Sequence, residues 1–275
     1  MAAIDAIVMA AGSIDLRMPQ RKLWPQAPEM TGAPAKGNAM PKRKTFVLVH
    51  GAWHGGWCWR RVADLLMKAG HRVFAPTLTG LGERSHLLRA DIDLSTHVAD
   101  IVNVLKWERL TDVVLCGHSY GGFVISGVAE KMSDAIASIV FVDAFVPENG
   151  DTVMKAASPA TREHLNEVVS RGGTIAGPVP AAVFQVNEKD RAWVDELCTP
   201  QPIATFSERI ALTGARERIA KKLYVRASGY ESPSFDAALA EVRGGPAWRV
   251  FEMACGHDIM VDMPEGLAKV LIEWT

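Results

Sequence analysis

Cysteine is scarce in this chain of 275 residues: Cys58, Cys116, Cys198 and Cys255 lie far apart, without a CxxC pair and without His/Cys spacing suited to a metal. That scarcity excludes a disulfide scaffold, a structural zinc module and a dithiol redox motif, and it predicts reduced thiols in a cytoplasm. An excess of either charge is also lacking. The 30 basic and 31 acidic residues nearly cancel, so the chain has no electrostatic footprint for nucleic acid. Nor does it contain the roughly 20 consecutive apolar residues that would span a bilayer. Residues 2–14 are mildly apolar, but they include Asp5 and have no basic residue ahead of them, so they fit neither a signal peptide nor an anchor. What is present is a chain that is 48% hydrophobic and 22% charged. It is long enough to bury one sizeable core, and it is expected to act on a small organic ligand rather than on nucleic acid or a membrane. These quantities are compatible with a homo-oligomer.

Residues 1–43 differ in kind from the rest, being rich in Ala, Met and Pro, and are expected to form a disordered N-terminal arm. A chain begun at Met40 would keep every motif discussed below. From Lys44 onward, short apolar runs at 46–49, 73–76, 113–116, 139–142, 223–225 and 248–253 alternate with helical stretches. Runs this short and this continuously apolar are expected of strands buried on both faces. Their alternation with helices predicts an α/β domain over 44–275, with a mainly parallel six-stranded sheet flanked by helices. Leu94, Val98, Ile101, Val102 and Leu105 recur at helical spacing behind Ser95, the expected N-cap, and Leu267, Val270 and Leu271 mark a last helix after Pro264. Residues of about 146–218 break the rhythm with Pro, Gly and charged helical stretches. They are expected to form a helical cap over the carboxyl ends of the strands, where open parallel sheets bind ligands. The alternative is a helical decoration that touches no ligand.

The run at 113–116 passes directly into Gly117-His118-Ser119-Tyr120-Gly121-Gly122, a GxSxG pattern at a strand-to-helix junction. A sharp turn there forces the serine into a strained backbone conformation, and side chains at Gly117 or Gly121 would meet neighbouring backbone. Ser119 is therefore the candidate nucleophile. The alternative is a glycine-rich turn whose serine only caps the helix. The first run leads into His50-Gly51-Ala52-Trp53-His54-Gly55-Gly56, a glycine-rich loop at the sheet's carboxyl edge. The backbone N–H groups of Ala52 and Tyr120 are the candidate oxyanion donors. His50 and His54 lack an acidic or cysteine partner at metal-ligand spacing, which favours packing or substrate contact. The last run ends in Cys255-Gly256-His257-Asp258. His257 is the candidate general base, because the order of serine first and histidine last is the hydrolase arrangement.

The loop after the penultimate run, residues 226–232, holds no aspartate and only Glu231 as an acid, whereas Asp143 closes the run at 139–142. Asp143 is the better placed partner to hold the imidazole of His257, with Glu231 as the alternative acid and turn-capping toward Pro147 as the alternative role for Asp143. Trp53, His54, Trp57 and Phe145 lie at motif ends and are candidate substrate contacts, and Val183, Phe184 and Trp193 would add apolar surface from the cap.

The segments HGAWHGGWCW (50–59), GHSYGG (117–122), VDAFVP (142–147) and GHDIM (256–260) resemble those of bacterial α/β-hydrolases related to plant methyl esterases. The resemblance covers about residue 44 to the end, and it implies the α/β-hydrolase fold and ester or lactone hydrolysis without a cofactor. Some of these relatives are similar to pyrethroid-type carboxylesterases. Their usual acid position is vacated here, but an acid after the earlier strand resembles the arrangement of pancreatic lipase and several haloalkane dehalogenases. The plant branch also includes hydroxynitrile lyases. Those place a threonine after the first-strand histidine and a lysine after the catalytic one, where this chain has Gly51 and Asp258. Hydrolysis is thus the leading expectation, with lyase chemistry and a non-catalytic small-molecule binder as the alternatives.

Overall fold

A computed structural model describes residues 43–275; the arm expected over 1–43 lies outside the described residues, Arg43 apart. All six apolar runs form strands. In chain order the strands are β1 (Thr45–Val49), β2 (Arg72–Phe74), β3 (Val113–His118), β4 (Ile136–Val142), β5 (Ile175–Ala176), β6 (Gln201–Pro202), β7 (Lys221–Ala227) and β8 (Trp248–Met253). Six of them make one parallel sheet in the order β2-β1-β3-β4-β7-β8. β5 and β6 form a separate antiparallel pair. Sequence reasoning placed no strand there, because two-residue strands are too short to leave a period in the pattern.

The helices are α1 (Arg60–Lys68), α2 (Leu94–Trp107), α3 (Gly121–Met132), α4 (Val153–Ala156), α5 (Pro159–Ser170), α6 (Glu188–Leu197), α7 (Ala204–Ser207), α8 (Pro233–Arg243), α9 (Ile259–Asp262) and α10 (Pro264–Trp274). Strand order reverses at β1: the chain moves outward from β1 to β2, then back across β1 to β3 and on to β4. Right-handed crossovers therefore send α1 to one face and α2 and α3 to the other, and α1 packs on α10 while α2 packs on α3. Both faces of the central strands are covered. Phe46, Val47, Leu48 and Val49 are fully buried, as are Val113, Leu115, Ile139, Val140 and Phe141, and each large apolar side chain withdrawn from water stabilises the fold by about 1.5–3 kcal/mol.

Local chemistry sets the helix ends. The N-cap of α2 is Asp93, not Ser95: the Asp93 carboxylate accepts the Thr96 N–H at 2.8 Å, while the Ser95 N–H and hydroxyl both donate to Glu208. The carboxylate is the stronger acceptor for the exposed amides of the first turn. Ser158 caps α5, with Pro159 opening the helix, a position where the missing N–H costs nothing. Helices α4 to α7 and the β5–β6 pair all fall between β4 and β7, within the interval expected to interrupt the alternation.

The register of the sheet brings the chemistry-bearing residues together. His118 pairs with Val142, and Val142 pairs with Val225, so Ser119 and Asp143 each stand one residue past neighbouring strand ends. Ser119 N donates to Val142 O at 3.3 Å and Asp143 N to Val225 O at 2.7 Å. The reversal between β1 and β3 opens the crevice at the carboxyl edge in which ligands of such sheets sit.

Candidate active site

Ser119 occupies the left-handed region with φ of +52°, a conformation costing a non-glycine residue about 1–3 kcal/mol and held only by its surroundings. Those surroundings are close. A Cβ on Gly117 would stand 2.6 Å from Gly121 O, one on Gly121 would stand 2.9 Å from both Val49 O and His50 O, and one on Gly122 only 2.0 Å from Phe145 O. Gly51 is equally constrained from the oxyanion side, because its Cβ would stand 2.7 Å from His118 Nδ1 and 3.0 Å from Ser119 Cβ. The loop after β1 therefore lies directly against the nucleophile position.

Ser119 and His257 line one cavity of about 40 Å³ together with Ala52, Tyr120, Trp53 and Phe145. Its remaining walls include Phe184 and Phe206 from the segment between β4 and β7, and Tyr230 and Phe235 from beyond β7. Among the described residues, neither Ala52 N nor Tyr120 N donates to another protein group, whereas the adjacent Trp53 N–H is taken by Gln201 Oε1 at 2.8 Å. Trp53 is itself held at φ +64°; its carbonyl accepts from Thr199 N at 2.8 Å and its indole N–H donates to Ala176 O at 3.3 Å. His50 fixes the peptide before Ala52. Its Nε2 accepts the Leu78 N–H at 3.0 Å, which leaves the proton on Nδ1 to donate to Gly51 O at 2.8 Å. Burial keeps this imidazole neutral, lowering its pKa to about 3.

The tyrosine hydroxyl in the elbow has a definite role in packing. Tyr120 OH donates to His97 Nδ1 at 2.9 Å, and His97 Nε2 donates to Thr79 O at 3.0 Å. Both residues are buried, and burial pushes the phenol well above its ordinary range.

His257 Nδ1 lies 2.6 Å from Asp143 Oδ2. The other carboxylate oxygen, Oδ1, accepts from Arg226 Nη1 at 2.8 Å and from Ala227 N at 3.0 Å. Asp143 is fully buried and sits at φ +41°. Phe235 stacks on the His257 ring at 5.0 Å and 15°, with Tyr230 and Phe184 at 4.8 Å and 5.3 Å, so the imidazole is held by apolar faces as well as by the carboxylate. Glu231 is exposed.

His54 and Trp57 stand outside the cavity lining. His54 is buried, with Nδ1 2.7 Å from Ala52 O and Nε2 3.0 Å from Asp258 Oδ2, and Trp57 stacks on its ring at 5.2 Å. Sequence reasoning missed Arg226, Gln201 and Asp258. Arg226 carried a readable signal, a charge inside an apolar strand followed ten residues later by Asp236, to which it also bonds at 2.8 Å. Potential ligand atoms of His118, His257 and Asp258 lie within 4.8 Å of one another. Each of these residues is held by a hydrogen bond through one of its atoms, His118 Nε2 to His257 O at 3.1 Å, His257 Nδ1 to Asp143 and Asp258 Oδ2 to His54.

The profile of the Alpha/beta hydrolase family matches residues 46–270. A carbendazim hydrolyzing esterase of Nocardioides sp. is 43% identical over 235 residues, which cover 82% of this chain and 97% of that protein. Esterase PIR7B of Oryza sativa subsp. japonica is 30% identical, over 84% of this chain and 95% of its own length. Among solved structures, an extracellular alpha/beta-hydrolase from a Paenibacillus species shares the fold with a TM-score of 0.74 at 24% identity, over 84% of this chain and 98% of that one. The chain belongs to the α/β hydrolase family, and these two curated relatives are esterases.

Proposed function

We propose that the chain is a carboxylic-ester hydrolase working through an acyl-enzyme on Ser119. The observation that carries this reading is the convergence of Ser119 and His257 on one cavity, with the far side of the imidazole on Asp143 at 2.6 Å. In the reaction, Ser119 Oγ attacks the ester carbonyl while His257 Nε2 takes its proton. Asp143 keeps the other ring proton on Nδ1 and stabilises the imidazolium that forms. The oxygen of the tetrahedral intermediate is held by the N–H groups of Ala52 and Tyr120, a preorganised pair of the kind worth several kcal/mol to the transition state. Collapse expels the alcohol, which takes the proton from His257. Water then attacks the acyl group with His257 as base, releasing the carboxylic acid and restoring Ser119.

The aromatic lining suits a small to medium apolar ester, and residues of about 146–218 act as the cap that shapes this pocket. The free thiols of Cys58, Cys116, Cys198 and Cys255 support a reducing compartment as the place of action. Lyase chemistry is disfavoured by two features. A threonine at position 51 would collide with Ser119 and His118, and Asp258, after the base, is buried against His54 and presents no cation to the cavity.

The test is a panel of p-nitrophenyl esters, aryl and alkyl methyl esters, lactones, carbendazim and mandelonitrile. Turnover of esters that vanishes in Ser119→Ala supports the proposal. Folded protein that cleaves no ester, or cleaves mandelonitrile in preference, overturns it.

A further inference from the structure

The two ring nitrogens of His54 both face acceptors. Nδ1 points at Ala52 O, 2.7 Å away, and Nε2 at Asp258 Oδ2, 3.0 Å away. A neutral imidazole carries one N–H and one lone pair, so it would leave one of these contacts as lone pair against lone pair. With Asp258 ionised, as its lowered pKa indicates, only the imidazolium satisfies both. Asp258 is fully buried, and its second oxygen, Oδ1, has no hydrogen-bond partner among the described residues; the nearest cation-forming group on that side is His118 Nε2 at 3.5 Å. Burial alone would discharge both members of the pair. The Asp258 carboxylate reverses this for His54, whose pKa stands above the ordinary imidazole value, and the His54 charge holds Asp258 well below the usual carboxylate range.

The pair joins two loops far apart in sequence. Asp258 directly follows His257, and the carbonyl that His54 grips belongs to Ala52. The ring is fixed in plane by Trp57, stacked at 5.2 Å and 21°, with His118 edge-on at 6.0 Å and Phe184 at 6.4 Å. Buried ion pairs are seldom retained for stability, since apolar residues of similar volume often do as well or better. A positional role accounts for this one.

We propose that the His54–Asp258 ion pair is a positioning device, locking the oxyanion loop onto the loop of the general base so that Ala52 N–H and His257 keep a fixed placement about Ser119. The inference rests on the catalytic roles proposed above. His54 and Asp258 touch neither substrate nor the reacting atoms; they act through Ala52 and His257.

The test compares Asp258→Asn, His54→Gln and the apolar double variant His54→Phe/Asp258→Leu, which removes both charges together and so protects the fold. Kinetics on one p-nitrophenyl ester are paired with inhibition by a trifluoromethyl ketone, which forms a tetrahedral oxyanion on the nucleophile. Expected are a kcat lowered by about 10²-fold, as for loss of one oxyanion donor, KM within about twofold, and ketone affinity falling in parallel with kcat. The apolar double should melt near the unsubstituted protein yet share the kcat loss. In the unsubstituted protein, ¹⁵N NMR should show two N–H protons on His54 at pH 7.5. A single N–H, or an apolar double with undiminished kcat, overturns the proposal. Failure of the underlying hydrolase reading shows separately, as an unsubstituted protein that turns over no ester at all.

Discussion

Asp143 divides its two oxygens between a base and a cation: Oδ2 meets His257 and Oδ1 meets Arg226, whose side chain is 3% exposed. A fully buried carboxylate would be costly alone, and the guanidinium offsets that cost while leaving one oxygen free to orient the imidazole. Replacing Asp143 by Asn keeps the size but presents the wrong hydrogen-bonding face to Nδ1. Asp143→Asn is expected to lower kcat by about 10⁴-fold, while Glu231→Gln, at an exposed site, should leave kcat within about twofold, both measured on the same ester. A large effect at Glu231 with none at Asp143 would move the acid role. Sequence alone pointed to Asp143 because it closes an apolar strand at the carboxyl edge. The charge of Arg226 in an apolar strand is legible, but its contact with Asp143, 83 positions away, comes from the packing of neighbouring strand ends and leaves no local pattern.

At the scale of elements, the loops do more than the strands to define the site. The turn after β3 is legible from its glycines because each is forced by an approach of the backbone, down to 2.0 Å for a Cβ at Gly122. The pairing of His54 with Asp258 spans 204 positions, and the grip of Gln201 on the Trp53 N–H spans 148. Such contacts follow from how loops pack once the sheet is built, and no local period announces them. For the same reason, Asp93 rather than Ser95 caps α2: both residue types are good caps, and only Glu208, reached through tertiary folding, claims the serine. The cavity holds about 40 Å³, room for a few waters, so the aromatic walls must part or be trimmed to admit a long acyl chain. Phe206 packs on Trp53 at 5.5 Å and on Tyr120 at 5.9 Å. Phe206→Leu is expected to raise the ratio of kcat/KM for butanoate over acetate esters by about tenfold, within the range that one or two methylenes are worth in an apolar pocket. An unchanged ratio would place the acyl group elsewhere.

Across the whole molecule, buried histidines link stability to pH. Burial lowers the pKa values of His50, His71, His97 and His118, while pairing with Asp258 raises that of His54. A lowered imidazole stabilises the fold fully above its ordinary pKa of 6.5, and that contribution is lost as pH falls toward the folded value, about 3 for His50. His54 acts in the opposite sense, contributing below 6.5 and losing its contribution as pH rises through its folded pKa. Four groups outweigh one, so the urea midpoint should fall between pH 7.5 and pH 5; a midpoint that rises would contradict these assignments. The central claim is chemical, that this fold positions Ser119 to attack an acyl carbon. It is tested most directly by treating the full chain with a fluorophosphonate and mapping the adduct by peptide mass spectrometry. The account predicts one covalent phosphonyl group per chain, on Ser119, with loss of ester turnover in step with labelling. Folded protein that stays unlabelled, or that carries the adduct elsewhere while turnover is lost, would contradict it.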